Sequence, residues 1–138
     1  MKLKSMDDDG GQVVYDIRND PQLLDRFRQL EASSDMGPST KDGVIGSDLW
    51  WANVENGAVE VQRFSGLIVG TDGGPMGDWP TVRIQGENKR MSWTAWAGFN
   101  RTHCGRRVEI RYVVVTLKKP LRPDRASTEV RLQVRIMD

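Results

Sequence analysis

His103 and Cys104, the single histidine and single cysteine of the chain, stand side by side in the stretch 98–105. A cysteine with a neighbouring histidine base can become a thiolate nucleophile, the chemistry these residue types could carry. That chemistry requires the two side chains to meet in space. Sequence neighbours generally point apart, and no third residue is evident to orient the imidazole. No catalytic residue is assigned on this basis. With one histidine, one cysteine and no HxxxH or CxxC spacing, neither a metal site nor a cofactor is expected. A carboxylate pair working as acid and base needs no local motif, and nothing in the sequence selects one.

The second segment with chemical character is the loop 70–80, with four glycines and two prolines in eleven residues. Such a composition costs chain entropy unless the backbone must take special angles. It is not a phosphate loop, because it lacks GK[ST] and a strand rather than a helix follows. Asp72 and Asp78 could face a hard cation, but the calcium-loop spacing is missing. Trp79, with Asp78 beside it, is the candidate aromatic anchor for a peptide, or else closes the base of the fold.

A third feature is Trp96, which falls out of phase with Met91 and Trp93. Simple alternation puts it on one face with Arg83, Arg90, Ser92 and Thr94. An aromatic among arginines is how single-stranded nucleic-acid binders stack bases and meet phosphates. The competing reading turns Trp96 inward at a bulge and pairs the arginines with Glu109 and Glu129. The candidate ligand-binding residues are therefore Asp78 and Trp79, and secondarily Trp96, Arg83 and Arg111.

Charge is unevenly spread around a formal net of +1. Residues 1–82 carry 7 Lys/Arg against 14 Asp/Glu, and residues 83–138 carry 13 against 5. Either the basic half offers an anion-binding surface, or the acidic half folds back over it and cancels it. Leu, Ile, Val and Phe make up 32 of 138 residues, above the roughly 20% below which chains stay disordered. No run approaches the ~18 apolar residues of a membrane helix. Three aspartates at positions 7–9 occupy the place where a signal peptide needs its apolar stretch, so a cytoplasmic location is expected. A lone thiol agrees with a reducing compartment.

The elements that must position these residues are legible. Val13, Val14, Tyr15 and Ile17 suggest a short strand. Asp20 can cap a helix with Pro21 at its first position and Leu23, Leu24, Phe27 and Leu30 along one face. The stretch 33–47 reads as a mobile connector. A second, shorter helix spans 48–56, with Ser47 as its cap, Trp50, Trp51 and Val54 on one side, and Asn56-Gly57 as its stop. Beyond Gly57 the period changes to two. A long strand through Val59, Val61 and Leu67–Val69 is expected to kink near Ser65-Gly66. A hairpin follows in which Ile84 pairs with Met91 and Val82 with Trp93, leaving Arg83 opposite Ser92. Val108, Ile110, Tyr112 and Val114 alternate in the next strand, and Val130, Leu132, Val134 and Ile136 in the last. Val113 and Val115 make the far end of their strand apolar on both faces, so something must cover it; the helix begun at Asp20 is the candidate.

These patterns predict a mainly β fold: a five-stranded antiparallel small barrel, SH3-like or OB-like, with an N-terminal helix and a short second helix. The expected organisation is an arm over residues 1–47 and a barrel over residues 48–138. The function read from it is a non-catalytic binding module for a protein or peptide, acting through the glycine-rich loop and an exposed tryptophan. The alternatives are a single-stranded nucleic-acid-binding barrel using the Arg-rich half, an enzyme with an unmarked site, and an assembly component that associates with itself. No membrane partner is expected.

Overall fold

The computed structural model describes residues 3, 6–7, 10–33, 35–73, 80–120 and 122–137. Six strands run in chain order: β1 (Gln12–Asp16), β2 (Gln62–Asp72), β3 (Thr81–Gln85), β4 (Arg90–Thr94), β5 (Arg107–Thr116) and β6 (Ser127–Met137). Two helices, α1 (Pro21–Glu31) and α2 (Asp48–Glu55), separate β1 from β2. Both start as their punctuation dictates. The Asp20 side chain accepts from the Leu23 amide with Pro21 in the first turn, and the Ser47 hydroxyl accepts from the Trp50 amide. Past the C-terminus of α2, Gly57 takes φ +87°, the left-handed angle that lets the chain turn away. At the C-terminus of α1, the Lys118 ammonium donates to the carbonyls of Leu30, Glu31 and Ser33. The connector between the helices is anchored to the sheet, because the Ser39 amide donates to Thr116 and the Lys118 amide to Gly37.

All strand pairs are antiparallel, in the order β1-β6-β5-β2-β3-β4. The β3–β4 hairpin has the expected register, with Ile84 opposite Met91, Val82 opposite Trp93 and Arg83 opposite Ser92. The mainly β architecture with two helices is thus present, and two details differ. The sheet has six strands, because residues 12–16 add to the free side of β6. It is also not a closed barrel: β1 and β4 are its two edges and do not pair with each other. The irregularity in β2 lies at Val69 and not at Ser65-Gly66. Gly66 has a different cause, since a Cβ there would run into the Gln85 carbonyl and the Ile84 side chain.

The sheet is apolar on both faces, but over different stretches. The inner core holds Phe64, Ile68, Val82, Ile84, Val108, Ile110, Tyr112, Val134 and Ile136, joined by Trp96 from the chain beyond β4. The outer core gathers Trp50, Trp51 and Val54 of α2 with Ile17, Val113, Val130 and Leu132. Leu23, Leu24 and Phe27 of α1 pack against it, so both helices cover the apolar end of β5.

One bulge reconciles these cores with the sequence. In β6, Gln133 pairs with Arg111 and Arg131 with Tyr112, leaving Leu132 without a counterpart on β5. A single extra residue reverses the facing of everything beyond it. Val134 and Ile136 therefore face the inner core, whereas Val130 and Leu132 face the helices. For the same reason Arg131 opposes Tyr112, on the inner side.

The outer face beyond the helices is a packed polar layer. Arg111, Gln133 and Arg135 are only 2%, 1% and 6% exposed. Arg135 donates to the carbonyls of Met6 and Gly10 and to the Gln133 side chain. Gln133 donates in turn to Asp16, which Arg18 bridges to Asp7. A segment near the N-terminus is thus tied over the sheet by side chains from β6.

Candidate functional site

The two sheet edges approach one another without pairing, and between them lies a cleft of about 820 Å³. One wall is β1 and the start of α1, including Val13, Tyr15 and Leu23; the other is residues 94–97, at and just past the end of β4. The Ala95 amide still donates to the Pro80 carbonyl in register with the β3–β4 ladder, but proline has no N–H to return the bond, and the pairing ends there. A second hollow of about 300 Å³, lined by Trp93 and Phe27 among others, shares Tyr15, Leu23, Thr94 and Arg131 with the first. These four residues form the ridge between the two hollows.

Arg131 is the centre of this ridge. Its guanidinium lies 4.8 Å from the centre of the Tyr15 ring and 6.0 Å from that of Trp96, and it donates to the Thr94 carbonyl. Cation–π contacts of this kind contribute about 0.5–2 kcal/mol each. No carboxylate lies within salt-bridge range of Arg131 among the described residues, and burial pushes its pKa down. Tyr15 is fixed from the other side, its hydroxyl donating to Asp20 at 2.8 Å. Burial, reinforced by that bond, pushes the Tyr15 hydroxyl well above its ordinary pKa. Asp20 therefore both caps α1 and holds the ring that faces Arg131.

Among the described residues, the buried side-chain nitrogens without a partner are Arg83 Nε, Trp93 Nε1, Trp96 Nε1 and Arg131 Nε. Three of these four belong to residues lining the two hollows. A buried donor left unpaired costs about 1–3 kcal/mol. Trp96 in the first hollow, Trp93 in the second and Arg131 between them thus leave three buried donors short of acceptors.

Asp16 and Asp20 also line the cleft, but both are engaged. Burial pushes the Asp16 carboxyl up, yet hydrogen bonds from the side chain and backbone of Arg18 and from Gln133 outweigh this and leave its pKa lowered. The cationic side consists of Arg131 and the exposed Arg26. Arg26, too, has no carboxylate within salt-bridge range among the described residues.

The residues expected to form a site lie apart. Asp78 and Trp79 lie outside the described residues. Trp96 is 2% exposed, its ring edge-on to Phe99 at 5.1 Å. It has turned inward because the chain leaves the ladder after Ala95, so it offers no open face for stacking a base. Arg83 sits on the outer face of β3, over Gly70, and bridges to Asp72 at 3.0 Å. Arg111 lies in the buried polar layer, with its Nε donating to Glu109 at 2.7 Å. Of the expected residues that are described, only Trp96 lines the cleft. His103 Nδ1 accepts from the Asn100 amide at the end of a short 3₁₀ turn, and Cys104 is exposed. The sequence marks Tyr15 and Leu23 only as strand and helix residues, and gives Arg131 no place in a site. The bulge that brings Arg131 inside has no local signature, whereas the Asp20 cap five residues after Tyr15 did mark where the helix wall begins.

No helix among the described residues is long and apolar enough to cross a membrane. No curated protein matches the chain. A family model described as "Immunity protein RhsI2" matches residues 12–137. That stretch begins with β1 and ends with β6, so it takes in both edges of the sheet and the cleft between them. The role that accompanies such membership is binding a protein partner, the cognate toxin. The chain belongs to the RhsI2 family of immunity proteins.

Proposed function

We infer that the chain neutralises its cognate toxin by seating part of it in the cleft between β1, α1 and the end of β4. The observation that carries this reading is the presence of three unpartnered buried donors, on Trp93, Trp96 and Arg131, around the two hollows. Their surroundings have what an interface centre needs: aromatic rings and a guanidinium in a concave site. β1 supports the same reading. It is an edge strand whose Val13 is 42% exposed, and an edge offers unpaired backbone groups to an incoming chain.

The test is protection and affinity measured together. Val13→Arg puts a long charged side chain at the cleft mouth from an exposed position, where it should leave the fold intact. It is expected to weaken binding of the cognate toxin in calorimetry and to reduce protection of cells expressing that toxin. Val114→Arg, at a 53% exposed position of β5 outside the cleft, serves as the control. Equal behaviour of the two variants would rule the cleft out.

A further inference from the structure

We propose that the cleft is a receptor for a carboxylate side chain of the toxin, which inserts between Arg131 and Arg26 against the Trp96 wall. The proposal rests on the cleft being the toxin-binding surface and names the chemistry of what enters it. Arg131 is the decisive residue. A guanidinium held away from water normally has a carboxylate to offset the loss of hydration, and a lone one is costly. Here the contacts are two aromatic faces and one backbone carbonyl, the charge of Asp20 acts only from beyond salt-bridge range, and Nε is left without an acceptor. Tyr15 and Thr94 hold the guanidinium in place before any partner arrives, so little side-chain freedom is lost on binding.

The other groups of the cleft agree. Trp96 Nε1 is a second buried donor in want of an acceptor, and a carboxylate offers two oxygens to satisfy neighbouring N–H groups. Arg26 supplies a further positive charge from the exposed side of α1. Neither carboxylate on the cleft wall forms an ion pair with Arg131. Asp16 is paired with Arg18, and Asp20, which accepts from the Tyr15 hydroxyl and the Leu23 amide, acts on Arg131 only through space.

Two measurements on the intact chain test this. In the first, the tryptophan indole N–H resonances of ¹⁵N-labelled protein are followed while a neutral-ended tripeptide, acetyl-Gly-Glu-Gly-amide, is added, with acetyl-Gly-Gln-Gly-amide as control. The Trp96 resonance, assigned with Trp96→Phe, is expected to shift with the Glu peptide, to stay with the Gln peptide, and to stay with both in Arg131→Gln. Arg131→Lys keeps the charge and should retain part of the shift; spectral dispersion reports that each variant is folded. Equal shifts with both peptides, no shift with either, or an unchanged shift in Arg131→Gln would overturn the proposal.

In the second, affinity for the cognate toxin is expected to fall roughly thirtyfold or more in Arg131→Gln, as when one member of a buried charge pair is truncated. If Val13→Arg abolishes binding while Arg131→Gln leaves it intact, the cleft stands as the docking surface and the carboxylate receptor is refuted. If neither variant affects binding, the cleft itself is refuted.

Discussion

The Arg131 guanidinium donates to the Thr94 carbonyl, so a strand from the interior of the sheet order reaches the end of an edge strand with which it does not pair. This bond spans the opening that backbone pairing leaves between the two edges. The sheet curls far enough to surround a core, and a side chain rather than a strand ladder bridges the remaining gap.

Stability and binding should separate at Arg131. Replacement by Met keeps the stem and removes the charge. The lost hydrogen bond and ring contacts are offset by the removal of a poorly hydrated cation, so stability is expected to stay within about 1 kcal/mol of the parent. Urea denaturation checks this. A loss above about 3 kcal/mol would make the guanidinium a structural element first.

The N-terminal tie gives a defined acid response. The Arg18 hydrogen bonds hold the Asp7 carboxyl down at about 2, against an ordinary value of 3.8. A carboxyl depressed on folding contributes stability in full above 3.8, and this is lost as pH falls toward 2. Asp7→Asn is therefore expected to lower stability at neutral pH and to flatten its decline across that window. Denaturation curves at neutral pH and at the two ends of the window measure both effects.

Gly66 should resist even the smallest side chain. An added Cβ would meet the Gln85 carbonyl and lie 2.9 Å from Ile84 Cγ2. Gly66→Ala is expected to cost about 1–3 kcal/mol through overpacking. Gly57→Ala has open space but a φ of +87°, and should cost about 1 kcal/mol through the backbone alone. Thermal melts of the two variants distinguish crowding from conformational strain.

Lys118 should matter more than an ordinary surface lysine. Its ammonium donates at 3.0, 3.2 and 2.6 Å to three carbonyls at the end of α1, where a positive charge also complements the helix dipole. Lys118→Met is expected to cost about 1–2 kcal/mol. Hydrogen exchange should accelerate most in the last turn of α1, and uniform acceleration would assign the lysine a global role instead.

Much of the local structure is legible because it depends on neighbours in sequence. Asp20-Pro21 and Ser47 cap their helices, and the register of the β3–β4 hairpin follows from Val82, Ile84, Met91 and Trp93 needing one common face. The site was less accessible. Trp96 reads equally as an exposed stacking residue or an inward-turning one, and the outcome depends on the ladder ending at the Ala95–Pro80 bond, which proline cannot return. Arg111 reads as an outward arginine in a clean alternation, yet it lies in a layer buried at the end of the sheet where Met6 and Gly10 are tied to Arg135.

β6 shows where the boundary lies. Residue order alone determined that Val130, Leu132, Val134 and Ile136 would be buried, because these apolar residues alternate with Glu129, Arg131, Gln133 and Arg135. Only the tertiary structure decided that they serve two cores, and that Arg131 turns inward with Tyr112, Tyr15 and Trp96. The reason is that facing is a property of a strand pair. One unpaired residue at Leu132 reverses it, and whether such a residue exists depends on β5, whose pairing partner is chosen by the fold as a whole.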